Sequence, residues 1–320
     1  MRYSQFYDSS VSVLTFGAMR FAPKTRTDDD HFRTGRAALL EALEAGINTI
    51  HSSYEYGTRW ALTECLKDHP RRHELNHIVK VPSPEYDGQA FDPAYFTGLV
   101  DTALSELHTD RIMVAQHLHR GVPKDIIYDS RGDGERLKHY EAVTSALAET
   151  ADGLRRAGKL AGLATFPHTM GYFDRAVDDD RFDSVVSFFG PLETDIAAYF
   201  DRMAGRKAYF AMRPYMQGIL SDKRGGLAGL KADPTYQTEA WRPYLERMAR
   251  IDALGVREGM SWESFALRFA MTPGIVPSVI LSLNKPEYVR NAVEAAEAGP
   301  LASGVVGQVY RACADIPVVS

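Results

Sequence analysis

Short apolar runs alternate along this chain with longer stretches in which apolar positions recur every three or four residues. Val11 to Phe16, Ile47 to Ile50, Ile78 to Val81, Ile112 to Leu118, Leu160 to Thr165, Ser184 to Phe189, Ala208 to Met212 and Val276 to Leu281 read as strands. The segments between them read mostly as helices. Asp29 and Asp30 precede one whose apolar residues Ala38, Leu39, Ala42 and Leu43 stop at Gly46, and another runs from about Trp60 to Lys67. Pro93 opens a helix carrying Phe96, Leu99, Val100, Ala103 and Leu107. Helical spacing returns through Leu147 and Leu154 to Gly158, across Trp241 to Leu254 and Trp262 to Met271, and from Pro286 and Val305.

This alternation predicts a (β/α)8 barrel rather than a doubly wound sheet. The latter would carry a glycine-rich dinucleotide fingerprint after its first strand, and Gly17-Ala18-Met19 is not one. No repeat, low-complexity segment or linker divides the chain, so residues 1–320 are expected to form one barrel domain. Two irregular stretches interrupt the pattern. Gly121 to Arg136 contains Pro123, Gly132 and Gly134; Ser221 to Thr238 contains Pro234. They read as loop insertions (121–136 and 221–238) over the strand ends, where specificity resides.

Composition narrows the function classes. With 45% hydrophobic and 25% charged residues and a net charge of −5, the chain gives no reason to expect nucleic acid or an anionic membrane as partner. Cys65 and Cys313 are the only cysteines, which argues against a disulfide framework and fits a reducing compartment. Met1 to Asp8 lack the apolar core of a signal peptide, and Ile275 to Leu283 is too short to span a bilayer. A cytoplasmic soluble protein is the expectation.

The candidate chemistry sits at strand ends. Gly46-Ile47-Asn48-Thr49-Ile50-His51-Ser52-Ser53-Tyr54-Glu55-Tyr56-Gly57 reads as a strand followed by a polar turn that presents Tyr54 or Tyr56 at the carboxyl end. A phenol held there is a candidate proton donor. Lys80 lies near the end of His77-Ile78-Val79-Lys80-Val81-Pro82, where a purely solvated lysine is poorly explained. Gln116-His117-Leu118-His119-Arg120 closes another strand, with His117 and His119 on one face by period two. His51 is either a hydrogen-bonded core histidine or a site residue. Together with His117 and His119 it composes a less favoured alternative, a three-histidine metal hydrolase.

Tyrosine, lysine and histidine at successive strand ends, after a Gly-Ile-Asn strand opening, resemble the aldo-keto reductase superfamily. The family turn Asp-Thr-Ala-x-x-Tyr-Gly corresponds to His51 through Gly57, so His51 stands where the family has Asp. Gly158-Lys159-Leu160-Ala161-Gly162-Leu163 is similar to the family's entry to its fifth strand, and Phe210 through Leu220 to its seventh strand and pyrophosphate-wrapping loop. The resemblance implies Tyr56 as the catalytic acid, Lys80 as the partner that tunes it, and His119 with His51 orienting the substrate carbonyl. A one-residue bulge is needed to bring His119, rather than Leu118, into the family's histidine place.

For the cofactor it implies NADP(H), with NAD(H) an alternative, held by Met19, Thr165, Arg213, Tyr215, Gln217, Leu220, Asn284, Lys285 and Arg290. The preference for the phosphorylated form rests on Asn284, Lys285 and Arg290. No metal is implied. The departures at His51, Thr165-Phe166, Val186 and Leu281-Ser282 motivate a second reading: a reductase-like barrel without redox work, a lyase, isomerase, dehydratase or cofactor-sensing protein using Tyr56 and the histidines.

Overall fold

Parallel strands covered on both faces bury nearly every residue, which is why they read as apolar runs. The computed structural model describes residues 1–25, 29–83, 86–88 and 90–318. Its strands are β1 (Tyr3–Phe6), β2 (Ser9–Ser12), β3 (Leu14–Gly17), β4 (Thr49–Ser53), β5 (Asn76–Pro82), β6 (Ile112–Leu118), β7 (Leu160–Thr165), β8 (Ser184–Phe188), β9 (Ala208–Met212) and β10 (Val279–Leu281). β3 to β10 close into a parallel barrel in sequence order, β10 pairing with both β3 and β9. This is the (β/α)8 architecture that the alternation predicts.

Alternate residues of each strand face in or out. Inside pack Ile78, Val114, Leu118, Ala164, Val186, Phe210 and Ile280; outside, residues such as Ile50, Val79, Val81 and Ala115 meet the helices. The expected strand Val11 to Phe16 is broken in two. Ser12 turns the chain: its Oγ donates to the Leu14 carbonyl at 2.6 Å, and its N–H donates to Asn48 Oδ1 at 2.8 Å. What precedes it is an antiparallel hairpin of β1 and β2, turned at Tyr7 with φ +52°. Phe6 and Val11 of this hairpin join the inner core, with the Phe6 ring edge-on to Phe210 at 5.2 Å. The hairpin thereby closes the amino-terminal end of the barrel. Phe210→Ala, which empties that contact, is expected to cost about 3–5 kcal/mol, read as a fall in the urea midpoint.

The two insertions are more ordered than their Gly and Pro content predicts. Residues 121–136 include 3-10 turns at Lys124–Ile126 and Ser130–Gly132 and the start of a helix, Asp133–Lys138. Residues 221–238 include a helix at Gly226–Ala232. Arg136 is fully buried and organises the first insertion. Its guanidinium donates to Asp133 at 2.6 Å, to Thr169 Oγ1 at 3.0 Å and to the carbonyls of Arg120 and Ile127. Cys65 and Cys313 are both buried and free. Among the described residues no helix is long and apolar enough to cross a membrane.

Candidate active site

β4 ends at Ser53, whose hydroxyl accepts from the Glu55 N–H and starts a 3-10 turn over Tyr54–Tyr56. Gly57 ends the turn at φ +69°, and a Cβ there would press on Lys24 at 3.1–3.3 Å. Glu55 is clamped by Arg120, whose guanidinium nitrogen lies 2.6 and 2.7 Å from its two carboxylate oxygens. The two tyrosines therefore point in fixed and different directions. Tyr54 Oη shares a hydrogen bond of 2.6 Å with Tyr95 Oη, and burial followed by that bond pushes its phenol up. Tyr56 turns to the barrel mouth, where Lys80 Nζ stands 5.4 Å from its ring centroid.

Lys80 shares the inward parity of Ile78 on β5. Its ammonium also stands 5.1 Å from the Phe166 ring centroid. Among the described residues neither Tyr56 Oη nor Lys80 Nζ has a hydrogen-bond partner, and no carboxylate lies within ion-pair range of Lys80.

His51 is buried on the same inner surface. Gln116 Nε2 donates to the Val186 carbonyl at 3.3 Å, which leaves Gln116 Oε1 to accept from His51 Nε2 at 2.8 Å. That network assigns the proton to Nε2. Burial, then the nearby Lys80 charge, lowers the His51 pKa to about 3. His51 is thus neutral at ordinary pH and supplies no counter-charge.

The other two histidines of the sequence reading lie elsewhere. His117 faces outward, its ring 5.8 and 6.2 Å from those of Phe91 and Phe96, and burial lowers its pKa to about 3. His119 lies beyond the strand, with Nε2 hydrogen-bonded to the Arg136 carbonyl at 3.0 Å and its ring edge-on to Tyr172. The structure therefore does not assemble the three-histidine cluster, and among the described residues no three His, Cys, Asp or Glu side chains come together as a metal site.

His168 occupies the mouth instead. Its ring lies 4.7 Å from Phe166 and 5.5 Å from Tyr128, and its buried Nδ1 has no partner. Burial, then the charges of Arg136 and Lys80, hold it well below the usual histidine range. Tyr128, from the first insertion, covers His168 and Phe188. Neither position carried a sequence signal beyond proximity to a strand end.

The residues assigned to a cofactor divide into groups. Arg213, Tyr215, Gln217 and Leu220 lie on the loop after β9, where Arg213, Met216 and Gln217 all adopt left-handed backbone at φ +59°, +42° and +54°. Each non-glycine residue in that region costs roughly 1–2 kcal/mol, and such strain collects at ligand-binding segments. The Arg213 guanidinium stacks 3.6 Å from the Phe188 ring centroid and is bound to Glu193, with Nε to Oε2 at 3.1 Å. Lys285 caps the helix Pro286–Glu297, and Lys223 from the second insertion joins it there. Their ammoniums lie 5.6 and 4.7 Å from the Tyr288 ring centroid, and Lys223 also pairs with Glu287 at 2.8 Å. Lys223 reads as a solvated loop residue in sequence, and only the fold brings it to this helix start. Arg290 pairs with Glu41 on the helix Asp30–Glu44, at 2.9 Å. Thr165 faces outward and shares its hydroxyl with Tyr172 at 2.8 Å. Met19 is exposed on the turn after β3.

A cavity of about 1080 Å³ opens at the other rim beside the hairpin, lined by Tyr7, Asp183, Phe200, Lys207 and Tyr310 among others. Its buried lysine and its central carboxylate are already engaged. Lys207 Nζ donates to the carbonyls of Asp179 and Phe182 at 2.6 and 3.0 Å, while Asp183 binds Arg155 and the Leu163 N–H. Among the described residues the Tyr56 phenol and the Lys80 ammonium, both uncommitted, meet at the carboxyl rim, and that chemistry marks it as the candidate site.

The aldo/keto reductase family model matches residues 13–312 of the chain. No curated protein matches it. Among solved structures, the holo form of an aldo-keto reductase from Bacillus halodurans superposes with a TM-score of 0.70 at 19% identity, over 98% of this chain and 96% of that one. The glycerol dehydrogenase from Gluconobacter oxydans gives a TM-score of 0.67 at 19% identity, over 97% of this chain and 94% of its own. At these identities the structural likeness speaks for the fold alone.

Proposed function

This chain belongs to the aldo/keto reductase family of oxidoreductases, and from that premise we propose that it is an NAD(P)H-dependent carbonyl reductase acting on a small molecule in the cytoplasm. The observation that carries the reading is the Lys80 ammonium 5.4 Å from the Tyr56 ring at the carboxyl rim. A cation beside a phenol stabilises phenolate, so it eases proton donation to a carbonyl oxygen gaining charge. Tyr56 Oη gives the proton, and Lys80 supports the phenolate left behind. His51, fixed as a neutral donor to Gln116, holds the floor of the site. His168 and Tyr128 shut water out from the side of the first insertion and orient the carbonyl in the place assigned to His119 by sequence.

The residues present fit a nicotinamide dinucleotide. Lys223 and Lys285 at a helix start suit a phosphate, through charge-assisted bonds and the helix dipole. The left-handed backbone at Arg213, Met216 and Gln217 suits a loop shaped to wrap a ligand. When bound, the reduced nicotinamide would supply hydride at the mouth. The holo neighbour supports cofactor binding by this architecture.

The test is direct. NADPH titrated into the purified protein should bind saturably, and its absorbance should fall on adding aldehydes or ketones. Absence of both effects across a broad carbonyl panel would end the reading. Joint replacement of Lys223→Met and Lys285→Met is expected to weaken NADPH by roughly tenfold or more, since each charge-assisted bond is worth about 1.5–3 kcal/mol, while NADH affinity stays near wild type. Equal weakening of both nucleotides would remove those lysines from phosphate recognition.

A further inference from the structure

Three arginines around the mouth are neutralised by the protein itself. Arg120 is held by Glu55, Arg213 by Glu193 and Arg136 by Asp133. Lys80 is not. Among the described residues it has no carboxylate within ion-pair distance, and it faces only the rings of Tyr56 and Phe166. His51, a titratable side chain on the same inner surface, is committed to Gln116 and neutral. A half-buried ammonium between aromatic rings retains an unmet demand for an anion.

We propose that Lys80 binds the carboxylate of the substrate, and that the mouth selects 2-oxo acids with an apolar or aromatic side group. This rests on the reductase reading and names its substrate class. Two constraints on the page lead there. Lys80 and Tyr56 are neighbours, so an anion on Lys80 must adjoin the carbonyl that Tyr56 protonates, as it does in a 2-oxo acid. The remaining walls, Phe166, Phe188, Tyr128 and neutral His168, offer apolar rings to the third substituent.

The reaction balances as a two-electron reduction. Hydride from reduced nicotinamide forms the new C–H bond at C2, and the carbonyl π pair moves to oxygen. That oxygen takes the Tyr56 proton, giving a 2-hydroxy acid and oxidised nicotinamide. Solvent then returns a proton to Tyr56.

The test compares phenylglyoxylate with its neutral methyl ester, using the full-length protein and NADPH. Wild type should favour the acid by roughly tenfold or more in kcat/KM, the worth of one charge-assisted bond. Lys80→Met should abolish that preference. His51→Asp, which gives Lys80 an internal carboxylate, should invert it by raising turnover of the ester and repelling the acid. An ester reduced as well as the acid by wild type, with the ratio unmoved in His51→Asp, overturns the proposal and leaves the reductase reading intact. Where neither compound is turned over, calorimetric titration of phenylglyoxylate into the protein saturated with oxidised nicotinamide decides. Binding that is lost in Lys80→Met supports the anion site, even with hydride transfer refuted by the carbonyl panel; no binding, or binding equal in the two proteins, overturns it.

Discussion

Tyr56→Phe is expected to lower kcat for carbonyl reduction by about 10²- to 10⁴-fold, the usual contribution of a positioned general acid. The expectation is sharp because the substitution removes only an oxygen. The Phe ring keeps its place on the turn, which Gly57, Ser53 and the Arg120–Glu55 clamp define independently of the phenol. It also keeps the face presented to Lys80. NADPH affinity should therefore change little, and the loss should fall on kcat rather than on binding. Tyr54 is two residues away but is no substitute, since its hydroxyl is tied to Tyr95. Tyr54→Phe is the internal control and should retain most activity. A collapse in Tyr54→Phe with full turnover in Tyr56→Phe would exchange the two roles and remove Lys80 from the mechanism.

The same contrast explains what the sequence made legible. The barrel strands were readable because burial on both faces turns a parallel strand into an apolar run, and the glycines and prolines between them are placed by local geometry. Lys80 was readable because period two holds inside β5 and puts it on the face of Ile78. His119 was not, because β6 ends at Leu118 and alternation carries no information past the last paired residue. His168 lies beyond Pro167, outside any strand, and its position depends on Tyr128, which is remote in sequence, as well as on neighbouring Phe166. Lys223 illustrates the same limit, since its partners Glu287 and Tyr288 are remote in sequence. The hairpin β1–β2 escaped notice because its residues are largely polar, and because Val11 to Phe16 conceals the turn at Ser12 within one apolar run. Long-range side-chain pairing, rather than periodicity, fixes all of these.

Acidification from about pH 6.5 toward pH 4 is expected to destabilise the fold by on the order of 4 kcal/mol per pH unit, the value for three protons taken up on unfolding. His51, His77 and His117 are the source. Burial lowers each pKa from 6.5 to about 3, with neighbouring groups (Lys80, Arg59, and His119 with Arg120, respectively) adding to the effect. The folded protein keeps the three rings neutral, whereas the unfolded chain protonates them below pH 6.5. Their stability contribution is therefore complete above that pH and is lost as pH falls toward the folded values. His119 and His168, also lowered, act in the same direction. Glu193 acts oppositely, because burial raises its pKa and a raised carboxyl stabilises the fold on the acid side, but it offsets at most one proton. Paired carboxylates such as Asp8 and Asp179 are lowered below 3.8, so their contribution begins to be lost below about pH 5 as the unfolded chain takes up their protons, adding to the histidines at the acid end of the window. His77 offers the cleanest check, because neither of its ring nitrogens has a partner to lose. Urea unfolding at a series of pH values between about 7.5 and 4.5 should give the predicted slope, and His77→Leu should flatten it by about one proton. A stability that stays level across that range would mean that the rings are protonated in the folded state, and with that His51 could no longer be the neutral group that leaves Lys80 unpaired.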